Sequence, residues 1–510
     1  MTAISMPRDA SAGVATRLIA FLALYFLLQT LLRIFGLSAL GVDDAEMVVI
    51  TQHWAWGYGS QPPLYNWLQM ATFAVLGFGA PAIAVLHFLL LFAAYLFVFL
   101  SGRLVFASDI KAAGACLALF AIPQIGWEAL HSHTHTLLSL AVASATLYTM
   151  LRVIGRGRWL DYLLLGVAIA LGILAKYSYL PFALALLVAA LTMPALRGRV
   201  LSWRMLAALV LALVITLPHL DWVLAHTDET LSRTFKFGIE KESGLLLAWG
   251  KGLVAMIAGV ASYVALAVAV FAAVVLFPVR GRDAPARVRP GVPHGRAFLV
   301  RALVIALGLV LVAVLATRST EVKERWLQPV LFVTPLVLMV LAETRLTVVR
   351  ERLLILFSGA IGIVLLVALA VAYLVPTVSG APFRALAPFA ELAEDIRDLG
   401  FADGTILAQD FYIAGNLRLH LPDAAAAETE YGLSTIAEGH EAAPVVVAWS
   451  GRRDRPPKGL RALFEALCGP GPALDAATPV RLTERYQHGS RAKYTLSVVK
   501  VDACPGGARP

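Results

Sequence analysis

Residues 18–46 read LIAFLALYFLLQTLLRIFGLSALGVDDAE, a long apolar run followed by a cluster of acidic residues. The run is long enough to cross the apolar core of a bilayer, which needs about 20 residues of helix. No small-residue cleavage site follows it, so we expect a retained membrane span rather than a signal peptide. The acidic residues Asp43, Asp44 and Glu46 then open the first loop on the far side of the membrane.

The rest of the chain repeats this apolar pattern. Of 510 residues, 59% are hydrophobic and 15% are charged, and the mean hydropathy is +0.77. A soluble domain does not need this balance to build one core, so the composition predicts a polytopic membrane protein. The formal net charge is +9, but the basic residues lie between apolar runs, which indicates membrane topology and no nucleic-acid partner.

About eleven of the apolar runs have the length of a membrane span, so the predicted fold class is an all-α polytopic membrane protein with about 11 transmembrane helices. A shorter run, 63–79, begins at a Pro-Pro pair and is predicted to be an interfacial helix, so that juxtamembrane helices occupy 43–79. The predicted spans are 18–38, 81–102, 110–127, 134–151, 159–175, 179–195, 203–223, 253–279, 299–317, 327–342 and 353–375.

Lysine and arginine are concentrated in alternate loops, as at Arg152, Arg156 and Arg158, which favours a cytoplasmic N-terminus. An odd number of spans then places the C-terminal segment outside the cytoplasm. We therefore predict a transmembrane domain at 1–375 and a periplasmic domain at 376–510, in a multi-pass protein of a bacterial inner membrane.

The C-terminal segment has the pattern of a small α/β domain, with three strand-like runs and one helix-like run. Its two cysteines, Cys468 and Cys504, are predicted to pair, because the domain is placed in an oxidising compartment. Cys116 lies in an apolar run and is expected to behave as a small hydrophobic residue. The runs are Thr405–Ala408, Val445–Trp449, Tyr494–Val501 and Phe389–Leu399.

The first outer loop, 41–68, contains three carboxylates and no basic residue. Carboxylates beside a membrane are costly and tend to mark a functional site. The alternative is structural: Asp43 caps a short helix, and Glu46, three residues later, completes a capping box. Both interpretations remain open at this level.

Four motifs in order, DDAE at 43–46, YGSQPPLYNWL at 58–68, AKYSYLPF at 175–182 and LPHLDWVL at 217–224, resemble the family 39 and 83 glycosyltransferases of the C-type membrane fold. This family includes protein O-mannosyltransferases and transferases of aminoarabinose and galacturonic acid to lipid A. The resemblance covers 18 to about 345. It implies inverting transfer of a sugar from a polyprenyl-phosphate donor to a periplasmic acceptor, such as the lipid A or core of an envelope glycolipid.

The resemblance also implies site residues. The acidic pair of the family falls on Asp43 and Asp44, and its first member is the catalytic base. A basic residue that often precedes the Pro-Pro pair is replaced here by Gln61, so another residue must contact the phosphate. Together with the cations argued below, the candidate substrate-binding residues are Glu46, Gln61, Tyr65, His133, His135, Lys176, Tyr177, Lys323 and Arg325.

Cations are required because the leaving phosphate gains negative charge during transfer. The candidates are Lys176, Lys323 and Arg325, and arginine is favoured because its guanidinium binds phosphate through two parallel hydrogen bonds. The alternative is that these are interfacial cations whose side chains extend towards the lipid headgroups.

His131, His133 and His135, with Glu128 nearby, are a candidate for a divalent metal, since imidazole suits zinc. Residues two apart on a helix face different directions, so the spacing equally fits polar histidines at a helix entrance. The family's second acid falls on His135, which puts metal binding in doubt. The cofactor is therefore left unknown.

A transporter that flips polyprenyl-linked sugars is the alternative function, because it too needs cations for phosphate and access to membrane lipid. Inverted repeats are typical of such transporters, and none is apparent in the sequence. A flippase also has no need of carboxylates confined to one side of the membrane, so the sequence favours the transferase.

Overall fold

The computed structural model describes residues 9–239, 244–278, 291–375, 384–436, 444–470, 474, 477–488 and 491–504. Within these ranges the α-helices are α1 Asp9–Gly36, α2 Val42–Ile50, α3 Leu64–Leu76, α4 Ala80–Phe106, α5 Asp109–Leu117, α6 Pro123–Gly126, α7 Thr134–Gly155, α8 Trp159–Ala175, α9 Leu180–Leu191, α10 Pro194–Val200, α11 Trp203–Ala225, α12 Thr227–Leu231, α13 Leu245–Leu276, α14 Gly295–Thr317, α15 Glu324–Leu331, α16 Thr334–Ala342, α17 Val348–Leu374, α18 Phe389–Asp398, α19 Phe411–His420 and α20 Lys458–Cys468. The strands are β1 Gly404–Ala408, β2 Ala424–Glu428, β3 Val445–Ser450, β4 Val480–Arg485 and β5 Lys493–Val501.

The predicted apolar runs are mainly helical in the described residues, with breaks inside two of them, which confirms a polytopic helical membrane protein. Seven helices, α1, α4, α7, α11, α13, α14 and α17, are each long and apolar enough to cross a bilayer. Two bent pairs raise the number to nine in the described chain, and α8 and the Tyr177–Leu191 segment are shorter apolar helices.

The bent pairs are Asp109–Ala121 with Pro123–Leu130, bent by 83°, and Glu324–Leu331 with Thr334–Ala342, bent by 52°. Pro123 and Pro335 lie in the first turn of the second helix of each pair. Proline is tolerated there but disfavours the helical conformation of the residue before it. This explains the first break, where Ile122 is extended, whereas Thr334, before Pro335, remains helical.

The chain divides into two compact units. The first comprises Met1–Leu27, Trp56–Leu64 and Phe88–Leu365, and the second comprises Leu28–Ala55, Tyr65–His87 and Leu366–Pro510. The predicted boundary between 375 and 376 remains a prediction, because 376–383 lie outside the described residues.

Small residues allow close helix packing in the first unit. A β-carbon at Gly166 of α8 would collide with the carbonyl of Ala208 in α11, so these two helices approach at backbone contact. Buried Lys111 pairs with Glu343 at 2.8 Å, and Arg296 contacts the same carboxylate at 2.9 Å. The desolvated lysine is thus neutralised, as a buried charge requires.

The second unit contains a five-stranded sheet in the order β2-β1-β3-β5-β4. β1 is parallel to both β2 and β3, whereas β5 is antiparallel to both β3 and β4. The small α/β domain is therefore confirmed, and the predicted strand-like runs coincide with β1, β3 and β5. The sequence did not predict β2 or β4, and the alanines of β2 have little intrinsic preference for strands.

Cys468 and Cys504 form a disulfide, as predicted. Cys468 belongs to the buried cluster beneath α20, and Cys504 packs against that cluster. Cys116 is free and buried, as expected for a small hydrophobic residue in a span.

Candidate active site

The acidic residues of the first outer loop lie on α2. The helix begins after Gly41, which has no side chain to cap it, and Asp43 and Asp44 both lie in the first turn. The capping-box interpretation is therefore wrong, because Asp43 is inside the helix rather than before it. Both carboxylates still benefit from the positive end of the helix dipole.

Asp44 and Asp43 have different surroundings. Asp44 is fully buried, and its carboxylate accepts a hydrogen bond from the guanidinium of Arg33 in an ion pair. Burial raises the pKa of Asp44 to about 6, opposed by the positive charge of Arg33 and reinforced by the negative charge of Asp43. Asp43 is partly exposed. It is therefore the member of the pair whose carboxylate solvent reaches.

Two other predicted site residues lie near this pair in the second unit. Tyr65 is fully buried, and its pKa is raised, first by burial and then by the charge of Asp44. Glu46 is 9% exposed, on the turn of α2 that follows Asp43. The structure thus brings Asp44, Tyr65 and Arg33 into one buried polar group.

The C-terminal sheet domain holds α2 through α19. Asn416 accepts a hydrogen bond from the Leu40 amide at 2.7 Å and donates one to the Leu40 carbonyl at 3.2 Å. Arg418 donates to the carbonyl of Val48 at 2.8 Å, and burial lowers the pKa of Arg418 to about 10. A β-carbon at Gly415 would collide with the backbone of Ala45, so α19 and α2 are in direct contact.

The loop after α2 is attached to the same domain. The side-chain amide of Gln52 donates to the carbonyls of Ala426 at 2.6 Å and of Thr435 at 3.0 Å. Its oxygen accepts from the amide of Ala426 at 2.8 Å. The Gln52 side chain therefore both donates to and accepts from the backbone of Ala426 in β2, as the backbone of a neighbouring strand would.

In the first unit, Lys176 and Tyr177 join α8 to α9. Lys176 is the extended residue that ends α8, and its ammonium donates to the hydroxyl of Thr136 in the first turn of α7. His219 Nδ1 lies 2.7 Å from the carbonyl of Trp56, so this nitrogen carries the proton. In the neutral ring His219 Nε2 therefore accepts from the Tyr177 hydroxyl at 3.0 Å.

Of the three histidines near the start of α7, only His135 lies within the helix. His133 precedes the helix in a left-handed conformation, and His135 lies in the first turn and is buried. His131 Nε2 is 3.7 Å from a carboxylate oxygen of Glu128. Among the described residues no group of three histidine, cysteine or acidic side chains is arranged to hold a metal ion.

The remaining candidates for phosphate contacts are on α15 and before α3. Lys323 precedes α15, is 40% exposed, and lies 3.7 Å from a carboxylate oxygen of Glu321. Arg325 lies in the first turn of α15, half-buried, and makes no hydrogen bond or ion pair to the described part of the chain. Gln61 lies at the end of a tight turn, which is closed by a hydrogen bond from the Gln61 amide to the Tyr58 carbonyl at 3.3 Å.

The sequence-predicted residues fall in both units. Asp43, Asp44, Glu46 and Tyr65 belong to the second unit, and Gln61, His133, His135, Lys176, Tyr177, Lys323 and Arg325 belong to the first. Sequence reasoning missed Arg33, His219 and Asn416 as partners. A charge within the first apolar run was a usable signal for Arg33, because intramembrane cations are rarely without a counter-ion.

Comparison with known proteins gives one family and two curated relatives. The dolichyl-phosphate-mannose-protein mannosyltransferase family matches residues 60–222. Lipopolysaccharide core galacturonosyltransferase RgtA of Rhizobium johnstonii is 34% identical over 439 residues, covering 85% of this chain and 86% of that protein. RgtB of the same organism, also a lipopolysaccharide core galacturonosyltransferase, is 33% identical over 421 residues, covering 81% and 83%.

The fold is similar to that of ArnT from Cupriavidus metallidurans. The structure of ArnT bound to undecaprenyl phosphate aligns with a TM-score of 0.60 at 13% identity, covering 97% of this chain and 99% of ArnT. The apo structure aligns with a TM-score of 0.53 at 15% identity, covering 98% and 100%.

Proposed function

We propose the substrates and the reacting residues from the premise that this chain belongs to the C-type glycosyltransferase family. It is a multi-pass membrane protein and a glycosyltransferase. Because RgtA and RgtB are named as lipopolysaccharide core galacturonosyltransferases, we infer that this chain transfers galacturonic acid to the core of lipopolysaccharide. The donor is a polyprenyl phosphate that carries the sugar, a proposal supported by the undecaprenyl phosphate of the similar ArnT structure.

The proposed location is the bacterial inner membrane, with a cytoplasmic N-terminus and a periplasmic C-terminal domain. The asymmetry of lysine and arginine supports this orientation. The Cys468–Cys504 disulfide supports it independently, because such bonds persist in oxidising compartments.

The proposed reaction is one displacement. Asp43 takes the proton of an acceptor hydroxyl as the oxygen of that hydroxyl bonds to the anomeric carbon of the sugar. The bond from this carbon to the phosphate oxygen breaks with inversion, and its electron pair leaves with the phosphate. The observation that carries this assignment is the contrast on α2: Asp43 is partly exposed, whereas Asp44 is fully buried against Arg33.

Asp44 is proposed as a positioning residue. Its ion pair with Arg33 fixes the first turn of α2 and therefore the direction in which Asp43 is presented. Tyr65 and Glu46 remain proposed substrate-binding residues of the same loop.

The leaving phosphate is proposed to contact Lys176 and Arg325, with Lys323 as a further cation. Arg325 is supported by having no competing acidic partner in the described chain, so its guanidinium is available to an external anion. Tyr177, oriented by its hydrogen bond to His219, is proposed to contact the donor, together with His133, His135 and Gln61.

Asp43→Asn tests the enzymatic assignment. A carboxamide has nearly the same shape but cannot accept the proton, and loss of a general base typically costs about a hundredfold to ten-thousandfold in rate. Because Asp43 is not a helix cap, the substitution removes no capping hydrogen bond, and the lost charge at the helix N-terminus should cost at most about 1 kcal/mol of stability. The measurement is galacturonic acid transfer from a polyprenyl-phosphate donor to lipopolysaccharide core in membranes, normalised to protein level.

Glu46→Gln is the matched control on the same helix, and we expect a smaller loss from it. Wild-type turnover by Asp43→Asn would refute Asp43 as the base. Mass spectrometry of lipopolysaccharide from a deletion strain tests the substrates separately, and an unchanged galacturonic acid content of the core would refute them.

A further inference from the structure

The C-terminal domain has a cavity of about 510 Å³ at one edge of its sheet. It is bounded by the residues that follow the carboxyl ends of the three parallel strands. Gln409 follows β1, Thr429 follows β2, and Ser450 ends β3. Its volume lies within the range of about 300 to 1,000 Å³ that is usual for small-molecule sites.

The topology of the sheet accounts for the position of this cavity. β1 lies between β2 and β3. After β1 the chain passes through α19 to β2 on one side of β1, and after β2 it crosses to β3 on the other side. In open parallel sheets, ligands bind outside the carboxyl ends of the strands where the order reverses in this way. The cavity therefore occupies the usual ligand position of the fold.

Two arginines give the cavity its charge. Arg452 and Arg453, in the turn after β3, both line it and are both exposed. Neither makes an ion pair with any residue in the described ranges, and no acidic residue is among those that line the cavity. The nearby carboxylate of Asp454 is paired with Arg481, and Asp410 caps α19 through the amide of Ile413 at 3.0 Å.

The polar wall of the cavity is held in place by the domain itself. The Gln409 side-chain oxygen accepts from the Ser450 amide at 3.3 Å, and Thr429 donates to the Gln409 carbonyl at 2.9 Å. The turn that carries the arginines is fixed by a bond from the Trp449 indole to the Arg453 carbonyl at 3.0 Å. Pro457 and Gly459, at the start of α20, complete the wall without a side-chain cap.

We propose that this cavity binds a saccharide that carries a carboxylate or a phosphate. Guanidinium groups bind both anions through paired hydrogen bonds, and the amide and hydroxyl groups of Gln409, Thr429 and Ser450 suit sugar hydroxyls. The identity of the ligand rests on the proposed function: it is an anionic sugar of the acceptor glycolipid. The cavity then serves as a docking site for the acceptor, separate from the residues that react.

The test is binding of monosaccharides to the full-length protein in lipid nanodiscs, measured by saturation-transfer NMR. The probes are galacturonic acid, galactose 6-phosphate and neutral galactose. We expect the two anionic sugars to bind and galactose not to, and their relative affinities identify the anion preferred. The double variant Arg452→Ala with Arg453→Ala should weaken binding of the anionic sugars at least tenfold.

Arg455→Ala is the matched control, because Arg455 is exposed in the same turn but does not line the cavity. In the transfer assay, the double variant should raise the KM for the acceptor about tenfold and leave kcat unchanged. Galactose binding equal to that of galacturonic acid, or unaltered binding by the double variant, would overturn the proposal.

The outcomes separate this proposal from the enzymatic one. Transfer that depends on Asp43, combined with unaltered sugar binding by the double variant, would refute only the docking site. Sugar binding that depends on the arginines, without any sugar transfer by the wild type, would refute only the proposed function.

Discussion

At the scale of single residues, neighbouring Asp43 and Asp44 differ in burial: Asp44 is fully buried, whereas Asp43 remains partly exposed to solvent. Burial raises the pKa of Asp44 to about 6, so this carboxyl takes up a proton as the pH falls through that value. Protonation weakens the ion pair with Arg33. We therefore expect sugar transfer by the wild type to decline on acidification between about pH 7.5 and about pH 5, with a midpoint near 6.

Asp44→Asn tests this explanation, because the amide is permanently neutral. The variant should be slower than the wild type at neutral pH and should lack the decline near pH 6. Asp398→Asn, at an exposed residue near the end of α18, should keep the full decline. The measurement is the transfer rate as a function of pH, and a wild-type profile in Asp44→Asn would contradict the positioning role.

Arg325 is tested by the difference between alanine and lysine. Loss of a charge-assisted contact to phosphate should weaken donor binding about tenfold to a hundredfold in Arg325→Ala. Arg325→Lys should restore only part of the affinity, since an ammonium cannot make two parallel hydrogen bonds. Arg352→Ala, at an exposed arginine on α17, is the control. Unchanged donor affinity in Arg325→Ala would point to Lys176 or Lys323.

At the scale of helices and strands, the most consequential contact is between α2 and α19. A helix of nine residues is too short to be stable alone. It is held at Leu40 by Asn416 and at Val48 by Arg418, so the geometry of the acidic loop depends on the C-terminal domain. This dependence gives that domain a role that sequence patterns did not indicate.

Gly415→Ala tests the contact, because the new methyl group meets backbone that cannot move aside. Overpacking of this kind typically costs about 1–3 kcal/mol, and here it displaces the helix that carries Asp43. We expect transfer activity to fall at least tenfold and the melting temperature to decrease. Gly308→Ala, in α14, is the helical control, since open space surrounds that position. Wild-type activity in Gly415→Ala would show that the contact does not control the site.

At the scale of the whole molecule, the topology proposal rests on the distribution of cations and on the disulfide. A reporter that is active only in the periplasm, fused at residue 440, which lies outside the described residues, should be active. Cys468 and Cys504 should both resist alkylation until the protein is reduced. Activity of a cytoplasm-only reporter at the same position, or two free thiols, would contradict a periplasmic C-terminal domain.

The sequence by itself determined the helical membrane class, the α/β character of the C-terminal segment, and the cysteine pairing. The first two properties follow from local composition and from periodicity, which act within one helix or one strand. The pairing follows from the predicted topology, which places both cysteines in one oxidising compartment. The four ordered motifs also indicated the glycosyltransferase family, in agreement with the identity to RgtA over 85% of the chain.

Only the tertiary structure decided which acid is buried and which residues support it. Arg33 and Asp44 are separated by 11 positions, and Asn416 and Leu40 by 376, so no periodic pattern relates them. The capping box failed as an explanation because the helix begins at Val42, before Asp43. Burial depends on what packs around a side chain from distant parts of the chain. For this reason the desolvation that distinguishes Asp44 from Asp43 appears only when the chain is folded.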